Sequence, residues 1–240
     1  MLLIKKARIY SPEDLGINDV LISEGKIVKI ERDINENNFD INVDVVNADN
    51  KIMVPGYIDQ HVHIIGGGGE AGFYSRTPEI FLSEVIEAGV TTLVGVLGTD
   101  GTTRHLESLL AKTRALETEG ITAYMLTGSY EVPVNNITGD VRRDVILIDK
   151  IIGVGEIALS DHRSSQPTKD EIKRIVTQAR VGGMLSGKCG IAQFHMGVGN
   201  DGLNMIFDII KESEIPARNF VPTHVNRTPD LLEQAMKLAK

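Results

Sequence analysis

The sequence predicts an α/β fold, a (β/α)8 barrel of the TIM type that follows a small β-domain. From Gly56 onward, short apolar runs alternate with longer segments of helical periodicity, which is typical of parallel strands buried on both faces. Polar residues follow several different apolar runs, as in barrel enzymes, whose sites are built from many strand ends. A doubly wound sheet is the alternative, but it would concentrate the site at one switch point. We therefore favour the barrel.

The first 54 residues are expected to form part of a small β-sandwich. Segments 2–10, 19–31 and 41–56 alternate apolar and polar residues and are interrupted by turn signals. Gly25 lies between two β-branched runs, so we predict a hairpin turn there. The predicted domain boundary lies between residues 54 and 55.

Residues 55–240 are expected to form the barrel domain. Six apolar runs predict its strands: 56–63, 91–98, 121–128, 151–160, 189–197 and 219–225. Four helices are predicted between them: 77–89, 104–120, 168–183 and 203–215. The first is expected to begin with Thr77 as its cap and to stop at Gly89. Because a complete barrel needs eight strands, we expect a fragment that lacks the last two, with unpaired edges and little stability or activity by itself.

Composition excludes some classes of partner. The formal net charge is −8, which argues against nucleic acid, because binding phosphate requires a basic face. Cys189 is the only cysteine, so an intramolecular disulfide is impossible and a reducing compartment is expected. The sequence contains neither a signal-peptide core nor an apolar run of about 18 residues. We therefore expect a cytoplasmic protein that does not span a membrane.

Four histidines lie at or near the ends of predicted strands. His61 and His63 are alternate residues of one strand, so they project to the same side and could share a metal ion. An isolated pair of this kind is more often two exposed side chains near a loop. His195 and His224 end two further apolar runs. Convergence of all four at one barrel mouth favours a metal centre over separate structural histidines.

Glu156 is a charged residue in the middle of the fourth predicted barrel strand. Such a residue is costly to bury unless it is paired or bound to a metal. A structural ion pair with a nearby arginine is the alternative. We prefer a carboxylate that bridges two metal ions.

The run from Gly66 to Glu70 contains four consecutive glycines, which permit unusual backbone conformations and close approach of a ligand. It lacks the Gly-Lys-Ser/Thr ending of a phosphate-binding loop, and Glu70 would repel phosphate. Glu70 instead suits a cationic amine. Arg163 and Arg227, which follow two strands, could pair with carboxylates. Tyr130 could donate to a developing oxyanion. Each of these last three is equally well explained alone as an ordinary loop side chain, but together they describe a pocket for a zwitterion.

At this point the sequence resembles the isoaspartyl (β-aspartyl) dipeptidases of the amidohydrolase superfamily. The resemblance extends over essentially the whole chain and is carried by the segments PGYIDQHVHIIGGGGEAG, LGTDGTTRHLESLLAKTRALETEGI, MLTGSYEVP, SDHRSSQPT, FHMG and PTHVNR. It implies hydrolysis of β-aspartyl dipeptides at two divalent ions, with zinc expected, in an enzyme that is a homo-oligomer at full length. It implies that His61 and His63 bind one metal ion and His195 and His224 the other, and we add Glu156 to these predicted ligands on the strength of its position.

The resemblance also implies roles around the metals. Glu70 would hold the substrate ammonium, and Arg163 and Arg227 would hold carboxylates. Gly68 and Thr99 would add contacts with the substrate, and Tyr130 would polarise the scissile carbonyl. Tyr130 and Glu156 are thus the two predicted catalytic residues.

The sequence departs from the family pattern in two ways. The family carries a carbamylated lysine a few residues before SDHRS, where this chain has no lysine and Glu156 is the candidate replacement. The family's final ligand and general base, an aspartate on the eighth strand, would lie beyond Lys240. Two alternatives remain open: a different amidohydrolase that acts on cyclic amides, similar to dihydroorotase, and an inactive metal-binding fragment.

Overall fold

The computed structural model describes all 240 residues, which form two compact units, residues 1–56 and residues 57–240. The first unit is one mixed sheet of five strands. These are β1 (Leu2–Tyr10), β2 (Asp14–Ser23), β3 (Lys26–Glu31), β4 (Asp44–Asn47) and β5 (Ile52–Met53). The order is β3-β2-β1-β4, and β5 also pairs with β1. The predicted hairpin turn is present between β2 and β3, where Gly25 adopts a φ of +72°.

The second unit is built on a curled sheet of six parallel strands. They are β6 (Tyr57–Val62), β7 (Val90–Gly95), β8 (Thr122–Thr127), β9 (Ile151–Leu159), β10 (Ile191–Met196) and β11 (Phe220–Thr223). Their order along the sheet is β11-β10-β9-β8-β7-β6, the reverse of the chain order, with no crossing. Strands that follow one another in the chain are therefore parallel neighbours in the sheet, and the predicted six-stranded α/β barrel sheet is confirmed.

Six helices accompany this sheet: α1 (Leu82–Glu87), α2 (Leu106–Thr118), α3 (Val141–Leu147), α4 (Lys169–Ser186), α5 (Asn204–Glu212) and α6 (Pro229–Leu238). Their apolar sides and the strands between them form one large buried core, in which Leu109, Ile172 and Phe194 are completely inaccessible. No helix combines the length and the apolar composition that crossing a membrane requires.

The predicted burial of all strands on both faces is wrong for β6. Tyr57 and Ile58 are 61% and 66% exposed. The reason is that β6 and β11 occupy the two ends of the sheet and each pairs with a single neighbour. The two edges expected for a six-stranded barrel sheet are therefore present.

The first helix begins later than predicted. Thr77 does not cap it; its backbone N–H donates to Gly67 O (3.0 Å), and its Oγ1 accepts from Gly67 N (2.8 Å). Residues 77–81 are consequently held against the glycine run, and the helix starts at Leu82. The predicted stop at Gly89 is correct, since this residue adopts a φ of +73° directly after the helix.

Candidate metal centre

The four predicted histidines converge at the carboxyl end of the sheet. His61 is the penultimate residue of β6 and His63 follows it, while His195 is the penultimate residue of β10 and His224 follows β11. The ring centroids are 5.3 Å apart for His61 and His63, 5.1 Å for His61 and His224, and 4.6 Å for His195 and His224. Side chains from three strands that are distant in sequence therefore meet in one cluster.

Glu156 of β9 lies at the centre of this cluster and is completely buried. Its Oε2 lies 2.8 Å from His61 Nε2 and 3.1 Å from His224 Nε2, and its Oε1 lies 3.3 Å from His195 Nδ1. All its ion-pair partners are histidines. The alternative of a structural ion pair with an arginine is therefore wrong. Burial opposes ionisation, but contacts with the three imidazoles outweigh it and hold the pKa of Glu156 far below its usual range.

These residues form two groups of potential metal ligands that share one carboxylate. Glu156 joins His61 and His63 in the first group and His195 and His224 in the second; within each, the ligand atoms lie within 4.8 Å of one another. Imidazole nitrogen and carboxylate oxygen are the donors that zinc and similar ions take. The donor set thus has the composition of a binuclear site.

Two atoms of the first group have no hydrogen-bond partner, although they are buried. They are His61 Nε2 and His63 Nδ1. His61 Nε2 is close to Glu156 Oε2, at 2.8 Å, but the two are not aligned as donor and acceptor. Leaving buried nitrogens unsatisfied costs about 1–3 kcal/mol each, which a bound cation would offset. The orphaned nitrogens therefore fit a metal at this position.

Gln193 orients His61 and was not predicted from the sequence. Its amide nitrogen donates to Gln60 O (3.2 Å), which leaves Oε1 to accept from His61 Nδ1 (3.0 Å). A proton on Nδ1 leaves Nε2, the atom that faces Glu156, with a free lone pair. Gln193 is two residues before His195 on the same strand, so its side chain faces the same side. This two-residue spacing is the sequence feature from which the role of Gln193 could have been predicted.

Tyr130 follows β8 and is buried against His195. Its hydroxyl lies 2.6 Å from His195 Nδ1. Burial, reinforced by the nearby Glu156 carboxylate, raises the pKa of Tyr130 well above its ordinary value. The hydroxyl therefore keeps its proton and can act as a hydrogen-bond donor at the centre.

The glycine run forms a tight loop beside the cluster. A β-carbon on Gly68, which adopts a φ of +66°, would lie 2.6 Å from Ser75 O, so only glycine fits. The buried Arg104 binds this loop by donating to Gly67 O (2.8 Å) and Gly68 O (3.2 Å). The loop presents Glu70 to a cavity of about 250 Å³ that Gly68 and Thr99 also line. Three of the predicted ligand-binding residues thus border one cavity.

The two predicted arginines meet at His195 and Asp161. Arg163 Nη1 donates to Glu70 Oε1 (2.8 Å), so the predicted cation and anion anchors are already in contact. Arg163 Nη2 and Arg227 Nη1 lie 2.9 and 3.1 Å from His195 Nε2. Asp161 accepts from Arg163 through both carboxylate oxygens, each at 2.9 Å. These hydrogen bonds outweigh desolvation and lower the pKa of Asp161 well below its usual range.

The sequence did not predict a role for Asp161. Its position in Ser160-Asp161-His162-Arg163, directly after a strand, was the only local feature that pointed to the site.

Comparison with known proteins identifies a family. The model of the amidohydrolase family matches residues 52–186. Among curated sequences, the dihydroorotase of Streptococcus pneumoniae is 31% identical over 126 residues, which is 50% of this chain and 28% of that enzyme. The family match at residues 52–186 includes the strands that carry the histidine pair and Glu156.

Solved structures give a much fuller match. A β-aspartyl dipeptidase from Fervidobacterium islandicum AW-1 superposes with a TM-score of 0.96 at 50% identity, over 99% of this chain and 65% of that chain. The same organism's enzyme in complex with the β-Asp-Leu dipeptide gives a TM-score of 0.94 at 50% identity, over 99% and 62%. The resemblance to this group found in the sequence is thus confirmed. This chain spans somewhat less than two thirds of those enzymes.

Proposed function

The chain belongs to the amidohydrolase family, and we propose that it carries the site of a β-aspartyl dipeptidase with a binuclear metal centre. One observation carries the proposal: Glu156 and four histidines form two ligand groups beside an acid, Glu70, and two arginines. Amide hydrolysis at a zwitterionic substrate requires that combination of a Lewis-acid site and anchors of both charges. The complex of the similar enzyme with β-Asp-Leu supports this class of substrate.

His61 and His63 would hold one ion, His195 and His224 the other, and Glu156 both. Two ions so bound would supply Lewis acidity, which lowers the pKa of water toward neutrality and polarises a carbonyl. Zinc suits imidazole and carboxylate donors, as do manganese, iron, cobalt and nickel. A glutamate in place of a carbamylated lysine would make assembly of the site independent of carbon dioxide.

The surrounding side chains would position the dipeptide. Glu70 would accept hydrogen bonds from the substrate ammonium, and Arg163 and Arg227 would bind carboxylate oxygens. The Tyr130 hydroxyl, which retains its proton, would donate to the oxyanion that develops on the scissile carbonyl.

The Glu70–Arg163 contact of 2.8 Å bears on selectivity. A zwitterionic substrate brings an ammonium for Glu70 and a carboxylate for Arg163, so it replaces one ion pair by two. A ligand that carried only a carboxylate would compete for Arg163 and leave Glu70 without a partner, whereas Arg163 also keeps its hydrogen bonds to Asp161. Because Glu70 then loses a charge-assisted hydrogen bond, the contact favours zwitterions over ligands that carry only a carboxylate.

A second candidate is a hydrolase of cyclic amides, which the 31% identity with a dihydroorotase favours. That match covers only 50% of this chain and 28% of the dihydroorotase. Dihydroorotate has no ammonium to form an ion pair with Glu70, because its only ionised group is a carboxylate. We therefore rank the hydrolase of cyclic amides second, ahead of an inactive metal-binding protein.

A substrate panel tests the proposal. The protein expressed from its complete gene would be loaded with zinc and incubated with β-Asp-Leu, with α-Asp-Leu and with dihydroorotate, and free amine or ring opening would be measured. We expect release of leucine from β-Asp-Leu only. Turnover of dihydroorotate alone would establish the second candidate, and no turnover with metal bound at the site would identify an inactive metal-binding protein.

A further inference from the structure

Asp161 stands out among the buried charged residues, because its carboxylate contacts three functional side chains and none of the roles above uses it. Its side chain is only 4% exposed. Oδ1 accepts from the backbone N–H of Arg163 (2.8 Å) and from its Nε (2.9 Å). Oδ2 lies 2.9 Å from Arg163 Nη2, 3.2 Å from His195 Nε2 and 3.6 Å from Arg227 Nη1. One oxygen is thus shared by two guanidinium groups and one imidazole.

The opposite nitrogen of the same ring faces the metal centre. His195 Nδ1 lies 3.3 Å from Glu156 Oε1, within the second group of potential ligands. To bind a cation, Nδ1 must present a lone pair, and the ring proton must then be on Nε2. The tautomer of His195 therefore decides whether it can serve as a ligand.

The two arginines favour the opposite tautomer. Arg163 Nη2 and Arg227 Nη1 approach His195 Nε2 to 2.9 and 3.1 Å, and guanidinium groups are donors only. In the absence of other groups they would bind a lone pair on Nε2 and so leave the proton on Nδ1. Asp161 is the acceptor in this cluster that can reverse the preference, because a proton on Nε2 gains a charge-assisted hydrogen bond to Oδ2.

We propose that Asp161 is a positioning residue that holds the proton of His195 on Nε2 and thereby keeps Nδ1 available to the metal. It does so while binding Arg163 through both oxygens, with Arg227 Nη1 3.6 Å from Oδ2. The inference deepens the proposed function, on which it rests for the identity of the ligand set. The same arrangement occurs at His61, whose Nδ1 faces Gln193 Oε1 at 3.0 Å.

The local backbone brings Asp161 to this position. Ser160, directly after β9, adopts a left-handed φ of +52°. Gly197, the residue after β10, packs so closely that a β-carbon there would lie 2.5 Å from Asp161 Cα. The backbone at Asp161 is therefore closely packed against the residue that follows β10, which fixes the point from which the carboxylate projects.

The test is a comparison of Asp161→Asn with wild-type protein in two measurements that do not depend on turnover. Zinc affinity would be determined by competition with a chromophoric chelator, and the His195 tautomer by long-range ¹H–¹⁵N NMR, assigned with a His195→Gln variant. We expect zinc-loaded wild-type protein to carry the proton on Nε2. Asp161→Asn should bind zinc about 10- to 100-fold more weakly and, without metal, should carry the proton on Nδ1.

Asp208→Asn is the matched control, because Asp208 is an exposed carboxylate whose partner is Lys169; it should change neither measurement. A folded Asp161→Asn protein with unchanged zinc affinity and tautomer would overturn the proposal. If that variant does not fold, wild-type protein decides the matter, since a proton on Nδ1 in the zinc-loaded state is incompatible with the inference. Failure of wild-type protein to cleave β-Asp-Leu would refute the proposed function and leave both of these measurements unaffected.

Discussion

Glu156 Oε2 and His61 Nε2 lie 2.8 Å apart, yet they are not aligned as donor and acceptor. Glu156 is on β9 and His61 on β6, so three strand positions separate them along the sheet. Curling of the sheet is what brings them together. A close approach without a hydrogen bond is the arrangement expected of two ligands directed at a common cation, and the first prediction depends on it.

Replacing Glu156 should remove metal from both halves of the centre. Elemental analysis after dialysis should give about two ions per chain for wild-type protein and fewer than one for Glu156→Ala, because both ligand groups include this carboxylate. Glu131→Gln, an exposed glutamate outside both groups, serves as the control. Retention of two ions by Glu156→Ala would show that the carboxylate does not bridge.

Glu70→Gln tests the ammonium anchor. The substitution keeps the shape of the side chain but removes its charge, so the ammonium of β-Asp-Leu loses a charge-assisted hydrogen bond. Such bonds contribute about 1.5–3 kcal/mol, which corresponds to a fall in kcat/KM of roughly 10- to 100-fold. Steady-state kinetics would measure it, with Glu131→Gln again as the control. Equal kcat/KM values for Glu70→Gln and wild-type protein would exclude the assignment.

Tyr130→Phe should affect chemistry more than metal binding. The hydroxyl is a neutral donor 2.6 Å from His195 Nδ1, and loss of one oxyanion donor typically lowers kcat by about 10²- to 10³-fold. Metal content should stay the same, since Tyr130 is in neither ligand group. Tyr124→Phe is the matched control: Tyr124 is on β8, where its ring contacts Lys150. A kcat reduced equally in both variants would point to a general packing effect.

Much of the fold followed from local pattern. The six apolar runs became β6 to β11, because a buried parallel strand needs a continuous apolar segment and little else. The two-residue spacing of His61 and His63 likewise predicted that both would reach one site. Helix α3 was missed although Asp140 caps it, since a helix of seven residues has too few turns to show a clear period.

What the sequence could not predict depends on contacts between distant segments. Thr77 has the local features of a helix cap, but its hydrogen bonds go to Gly67, ten residues earlier. Gln193 acquires its role because curling of the sheet brings His61 beside it, and Asp161 acquires its role because β9 pairs with β10, the strand of His195. No local pattern distinguishes such residues from ordinary polar side chains at strand ends.

Gly98→Ala should weaken metal binding through His63. Gly98 adopts a φ of +78°, and a β-carbon there would lie 2.5 Å from His63 Cε1, so the imidazole must move. Gly187→Ala is the control, because its φ of +70° imposes the same backbone strain while nothing lies within 4 Å. Both variants should lose about 1–2 kcal/mol of stability. Only Gly98→Ala should also lose zinc affinity, by about 10-fold or more; equal zinc affinity in the two would contradict the steric argument.

The last prediction concerns pH and the N-terminus of α4, the helix that packs against β9 and β10. Glu171 accepts hydrogen bonds from the backbone N–H and the hydroxyl of Thr168, each at 2.7 Å, and Thr168 Oγ1 accepts from Glu171 N (3.3 Å). This is a capping box. The backbone hydrogen bond, with help from the hydroxyl, lowers the pKa of Glu171 below its ordinary value.

A carboxyl whose pKa is lower in the folded state stabilises the fold above its unfolded pKa of roughly 4.3, and the contribution is lost as the pH falls through the folded pKa. Glu171→Gln should therefore unfold at a lower urea concentration than wild-type protein at pH 7, and the difference should shrink at pH 3. Metal-free protein would be used for both measurements. Glu107→Gln, in the first turn of α2, removes a charge from an equivalent helix position without a capping box. If it shows the same pH dependence as Glu171→Gln, the helix dipole rather than the capping box accounts for the effect, because the dipole acts on both glutamates alike.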